Sequence, residues 1–273
     1  MAIANLAAYQ DRLQGLYQKV RFTKAAVTTV AARSYSSWLS GTFPAAGVAP
    51  TTAAVPTNAT AGSLGQIDCA GSTQRLLRLI LQTAGATGGM ITIADRLSHQ
   101  GGLSGIVAGA QTTNLPTAAL TRQTTGDDVL LGIEVYTAVG ATGTTISASY
   151  TNQAGTATRT TPLTTFGGTG FNAISRIIFL PLQVSDSGVR AVASVSVTAT
   201  TGTAGAFGVT LAYPLVSIPV EDVTMPMGLD EEGLFGFGTW FPQIVDGACL
   251  FFILHTVGTT TGIIQGQAHL SED

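Results

Sequence analysis

From residue 75 onward, apolar and polar positions alternate. Val189, Ala191, Ala193, Val195 and Val197 share one side of such a stretch, with Arg190, Ser194 and Ser196 opposite. Ile91, Ile93 and Leu97 recur at the same spacing, with Asp95 among them. A period of two predicts half-buried strands. The pattern places strands at 75–83, 90–97, 129–137, 144–151, 174–182, 189–199, 209–216, 250–257 and 263–270. Glycine-rich turns separate many of them, at 140–143, 167–170 and 202–205. No helical stretch of ten to fifteen residues recurs between strands, which argues against βαβ units. The expected fold class is all-β, a sandwich or jelly-roll-like body.

The start of the chain reads differently. Leu6, Tyr9, Leu13, Leu16 or Tyr17, and Val20 recur every three to four residues, and Asn5 can cap the start. This spacing predicts a short amphipathic helix. Such a helix is marginal alone in water and needs a surface to dock on. Residues 40–65 follow, with Pro44, Pro50 and Pro56 among Ala, Thr and Gly. Each proline pushes its predecessor out of helix, and no apolar face is visible. This stretch is expected to be an extended arm, anchored by Trp38 and Phe43. The division is therefore an N-terminal helix and attachment arm at 1–66 and a β-sandwich body at 67–273. Within the body, residues 233–245 carry Leu234, Phe235, Phe237, Trp240 and Phe241 among three glycines and Pro242. That is too aromatic for a free loop. It reads equally as a lid over the core and as a plug in a subunit contact.

Composition sharpens the picture. Only 27 of 273 residues are charged, 12 Lys plus Arg and 15 Asp plus Glu. That is 10%, against about 25% in an ordinary domain. Spread over roughly 11,000 Å² of surface, this leaves one charge per about 400 Å², a patch size that already suggests a partner. The chain has 41 threonines, which suit strands and keep a surface polar without charge. A homo-oligomer or a larger protein assembly is the simplest expectation. Residues 1–24 carry a net +3, while Glu221, Asp222, Asp230, Glu231 and Glu232 crowd one short stretch. That stretch is expected to be exposed, facing solvent or a basic neighbour such as residues 1–24 of another copy. No basic stripe marks a nucleic-acid footprint. No segment reads as a signal peptide or a membrane span, so the expected product is soluble and made in a reducing cytosol. Cys69 and Cys249 are too few for a disulfide framework or a cysteine zinc site; they could pair with each other, and two buried thiols are the plainer reading.

Candidate chemistry is thin. His99, His255 and His269 form no metal-ligand spacing with one another or with a cysteine. Asp95 and His99, four apart, are the one pair in which a carboxylate could orient an imidazole for acid–base work; a core or surface histidine is the plainer reading. Asp127 and Asp128 follow Gly126 and read as a turn. Residues 167–170 lack the lysine of a phosphate loop. Asn58-Ala59-Thr60 fits a glycosylation sequon and carries no weight without a secretion signal. No catalytic, cofactor-binding or metal-binding residue is expected. The interface candidates are Leu6, Tyr9, Leu13, Tyr17, Trp38, Phe43, Phe235, Phe237, Trp240 and Phe241.

Three stretches resemble structural proteins of tailed bacteriophages. They are Ile93-Ala94-Asp95-Arg96-Leu97-Ser98-His99, Ser149-Tyr150-Thr151-Asn152-Gln153-Ala154-Gly155-Thr156, and Asp186-Ser187-Gly188-Val189-Arg190. The continuation from Thr200 through Tyr213-Pro214 fits the same style. The Ala/Pro/Thr-rich arm is similar to the arms of capsid decoration, or cement, proteins. That resemblance implies a β-rich trimer on the outside of a phage head, bridging subunits of the major capsid protein or other virion proteins. It transfers no functional residue, and it implies neither a cofactor, nor nucleic acid, nor a membrane as partner. The expected location is the virion, after synthesis in the bacterial cytoplasm. A tail or baseplate protein would share this composition. A module binding host glycans would need an exposed aromatic shelf, for which 233–241 is the candidate.

Overall fold

The computed structural model describes residues 17–66, 73–84, 89–116, 119–220, 227–229 and 242–272. Among them are sixteen strands and no helix. In chain order they are β1 (Tyr17–Lys24), β2 (Arg33–Ser36), β3 (Gln74–Ala84), β4 (Gly89–Leu103), β5 (Gly109–Leu115), β6 (Leu130–Thr137), β7 (Thr144–Asn152), β8 (Arg159–Thr160), β9 (Thr164–Phe166), β10 (Ile177–Phe179), β11 (Val189–Val197), β12 (Ala206–Val220), β13 (Met227–Leu229), β14 (Gln243–Ile244), β15 (Leu250–Thr256) and β16 (Ile263–Glu272). The protein is all-β, with its sheets in a sandwich- or barrel-like arrangement.

Three sheets make the body. The central one runs β10-β6-β12-β4-β15-β2. Its axis is the antiparallel pair β4 and β12, each of 15 residues. This pair serves two sandwiches in succession. β6 pairs β12 only from Ala206 to Ala212, and β15 pairs β4 only from Gly89 to Asp95. Pro214 and Pro219 stand in β12 beyond Ala212, where β6 has ended and one side is an edge. That is where a residue without an N–H is tolerated. Register shifts at Leu211/Ala212 and Pro214/Val216 mark the change from one half to the other.

Alternation then decides what covers each half. Val209, Leu211 and Ile133 face one core, shared with Ile146, Ala148, Val195 and Val197 of the sheet β5-β11-β7-β8. Ile91, Ile93 and Phe252 face a second core, shared with Val20, Phe22, Leu79, Leu81 and Ile264 of the sheet β1-β16-β3-β13. The rings of Phe22 and Phe252 meet edge to face, 4.9 Å between centroids. Carried through the register shifts, the alternation puts both outer sheets on the same side of the central one.

Two expectations for the N-terminal region change. The helix spacing that included Tyr17 and Val20 belongs, from residue 17 on, to a strand that pairs β16 residue for residue from Tyr17↔Ser271 to Lys24↔Ile264. Val20, Phe22 and Lys24 turn inward, and Lys19 and Arg21 turn outward, so period two prevails. Leu6, Tyr9, Leu13 and Leu16 lie outside the described residues. The region 17–66, expected as an arm apart from the body, is woven into it. β1 and β2 are members of two different sheets, and residues 37–66 run over the other side of the central sheet. The physical reason is that this side carries buried charge and needs a polar cover.

Candidate functional site

The cover is built around Trp38. Its side chain is 1% exposed, and its indole Nε1 donates to the Val48 carbonyl at 2.9 Å. Gly47 and Gly62 close over the ring. A Cβ on Gly47 would stand 2.3 Å from Trp38 Cε2, and one on Gly62 2.7 Å from Trp38 Cε3. Only glycine lets the backbone approach a flat ring so closely. Below the ring lies the Arg96 guanidinium, 4.3 Å from its centroid, and the edge of His99 meets it at 5.1 Å.

Arg96 and Glu134 form an ion pair with both side chains at 0% exposure. Arg96 Nη2 donates to Glu134 Oε2, and also to Tyr136 Oη and Thr210 Oγ1, each at 3.0 Å. Tyr136 and Thr210 donate to the same carboxylate oxygen at 3.1 and 2.7 Å. Arg96 Nε donates to His99 Nδ1 at 2.8 Å. Burial opposes both charges, yet each partner holds the other: Arg96 stays above its ordinary pKa and Glu134 below. Burial, then the neighbouring Arg96 charge, drives His99 down to about 2. Burial raises Tyr136. These residues come from β4, β6 and β12, so the network spans three adjacent strands.

A second buried pair sits where β15 stops. Asp95 accepts from Arg122 Nε at 2.8 Å and Nη2 at 3.0 Å, and from the Cys249 amide at 2.8 Å. Arg122 also donates to the carbonyls of Pro56 and Arg96. Beyond this point the covering segment takes over the edge of β4: Ala54 and His99 exchange backbone hydrogen bonds at 2.9 and 3.0 Å. Elsewhere Thr23 and Phe43 do the same at 2.6 and 2.9 Å, and Lys24 Nζ donates to the Pro44 carbonyl at 3.0 Å. Lys24 is fully buried, and burial lowers its pKa to about 8.

The candidate residues separate accordingly. Asp95 and His99 do not act as a pair; the carboxylate goes to Arg122 and Cys249, the imidazole to Arg96. A neutral, enclosed His99 is a core residue. Trp38 is core too, and so is no surface anchor. Phe43 is 61% exposed and Val48 74%, both on the outer side of the cover. Tyr17 opens β1. Cys249 is a free, buried thiol, pushed by burial to about 12; Cys69 lies outside the described residues. Asp127 accepts from Ser187 Oγ in a turn, and Asp128 has φ +58°. Asn58 Nδ2 donates to the Gln66 carbonyl, so the sequon amide is engaged. Phe235, Phe237, Trp240 and Phe241 lie outside the described residues, as does the acidic stretch except for β13, which pairs β3. No group of His, Cys, Asp or Glu suited to a metal occurs among the described residues. The network of Arg96, Glu134 and Thr210 had one sequence signal, charged residues inside otherwise apolar strands.

No protein-family model matches the chain, and no curated protein matches it. Among solved structures, the VP2 subviral particle of infectious bursal disease virus is similar with a TM-score of 0.20 and 7% identity, over 94% of this chain and 80% of that one. A likeness of that size carries no argument about fold or function.

Proposed function

We propose that the chain is a non-enzymatic structural protein of a tailed-phage virion, of the capsid-decoration type, which stabilises the head by bridging capsid subunits. The observation that carries this reading is the exterior. Six of the 27 charged side chains, Lys24, Asp95, Arg96, Arg122, Glu134 and Arg176, are buried. At most 21 remain for a surface of 11,545 Å². Such a surface desolvates cheaply against other protein, because few charges must be stripped of water. Phe43 and Val48 stand out from it on the cover, apolar side chains that a partner surface would take out of water. The resemblance to decoration proteins adds the trimer.

The test is binding to particles that lack the protein, with its position read by electron microscopy. Wild type is expected on the head surface. Phe43→Ser with Val48→Ser should weaken binding at least tenfold while leaving the melting temperature unchanged. Density confined to the tail would replace this reading with a tail or baseplate role. Light scattering should give a trimer; a stable monomer both free and on particles would remove the oligomer from it.

A further inference from the structure

Arg33, Arg176 and His255 gather around Ser34, and among the described residues no carboxylate forms an ion pair with them. Arg176 is 5% exposed and donates through Nη1 to the carbonyls of Ser34 and Ile177. His255 Nδ1 pairs with Ser34 Oγ at 2.8 Å. Arg33 donates through Nη1 to the Ala32 carbonyl at 3.1 Å. Both guanidinium groups lie against one ring, 4.4 Å (Arg33) and 5.4 Å (Arg176) from the centroid of Phe171. Arg176 also lies 5.5 Å from the ring centroid of Tyr35. Yet Nε of Arg33 and Nε of Arg176 are both buried without a hydrogen-bond partner.

This arrangement is unlike the two buried arginine–carboxylate pairs. Arg96 and Arg122 each have a carboxylate at hydrogen-bond distance. Here burial, opposed by the Tyr35 phenol and reinforced by the like charge of Arg33, brings Arg176 down to about 10. Burial and Arg176 lower His255 as well. A buried cation without an anion is costly, and aromatic faces recover part of that cost. The cluster is also reachable. Arg33, Ser34 and His255 line an open groove of about 690 Å³, together with Met90, Thr256 and Val257.

We propose that this groove binds a small oxyanion of the phosphate or sulfate class against Arg33 and His255, with Arg176 behind Ser34 supplying field and orientation. Arginine suits such a ligand because its fork matches two oxygens. The site does not depend on the decoration reading.

The experiment is a thermal shift of the full chain in sodium phosphate, against sodium chloride of equal ionic strength. At tenfold excess over its Kd, phosphate should raise the melting temperature by about 3 °C. The rise should vanish in Arg33→Gln. In parallel, phosphate should move the imidazole NMR signal of His255 in wild type and leave that of His99 in place. No rise over chloride, a rise equal in Arg33→Gln, or a fixed His255 signal would each overturn the site. The NMR arm decides if Arg33→Gln does not fold.

Discussion

The guanidinium carbon of Arg96 lies 4.3 Å from the centroid of the Trp38 ring, joining the covering segment to the charge buried beneath it. A stacked Arg loses little by desolvation when its remaining donors are filled. Glu134, Tyr136, Thr210 and His99 fill them, except that Arg96 Nη1 and Glu134 Oε1 have no partner.

Removing one member of that pair leaves the other buried and uncompensated. Glu134→Gln should therefore cost about 3–5 kcal/mol. Replacing both, Arg96→Met with Glu134→Leu, should cost much less than the sum of the single changes. Urea denaturation of the two single variants and the double one gives the coupling. Additive losses would show that the two charges act independently.

Gly47 tests the closure over Trp38. Its added methyl would fall 2.3 Å from Cε2 of the indole, inside any tolerable contact. Gly47→Ala should lose about 2–3 kcal/mol. Trp38→Leu in the same background should relieve part of the added clash while losing the stacking on Arg96. A Gly47→Ala protein as stable as wild type would mean the cover is loosely seated.

Acid should weaken the fold through His99. Its pKa is about 2 in the folded chain and 6.5 ordinarily, so the unfolded state binds the extra proton between these values. Stability therefore falls as pH drops below about 6.5, by up to about 1.4 kcal/mol per pH unit from this group. Asp186 and Glu134, both lowered, act in the same direction at lower pH. The difference between wild type and His99→Gln isolates the histidine, and it should shrink steadily from pH 6.5 to 4.

Lys24 gives a slope of the same sign on the alkaline side. It titrates at about 8 folded and 10.5 ordinarily. The unfolded state holds the proton longer, so stability rises from about pH 8 upward. Cys249, raised from 9.0 to about 12, pulls stability down above pH 9, because the unfolded thiol ionises first. Between pH 8 and 9 the lysine acts without it. Melting curves there should rise in wild type and stay flat in Lys24→Met.

Much of the body was legible because a strand with one buried face repeats every two residues. The expected strand at 144–151 is β7, Thr144–Asn152, and that at 189–199 is β11, Val189–Val197. The stretch 174–182 shrinks to Ile177–Phe179, with Pro181 standing just past its end. β5 was missed because Gly109–Leu115 buries only Thr113 and Leu115, too few positions to show a period. β1 was misread because Tyr17 and Val20 satisfy a helical spacing as well as a strand with Val20 and Phe22 inward. Which charges pair could not be read at all. Arg96 and Glu134 are 38 residues apart, and only the antiparallel register of β4, β12 and β6 brings them together.

That register gives the last prediction its direction. The sequence pattern sets residues 1–66 apart as a helix and attachment arm. In the fold they supply β1, which completes the sheet beyond β16, and β2, which completes the central sheet beyond β15. They also supply Trp38, Leu64 and the backbone that pairs His99. Without them Arg96, Glu134 and His99 would open to water on one side, and Phe252 would lose Phe22 on the other. The deletion should abolish cooperative unfolding and give an aggregating, weakly structured chain. A shorter deletion of residues 1–16 should leave the melting temperature within a few degrees of wild type, since β1 and its pairing remain. Circular dichroism melts of both truncations check this. A 67–273 fragment with a sharp, reversible transition would show that the cover contributes little to the fold.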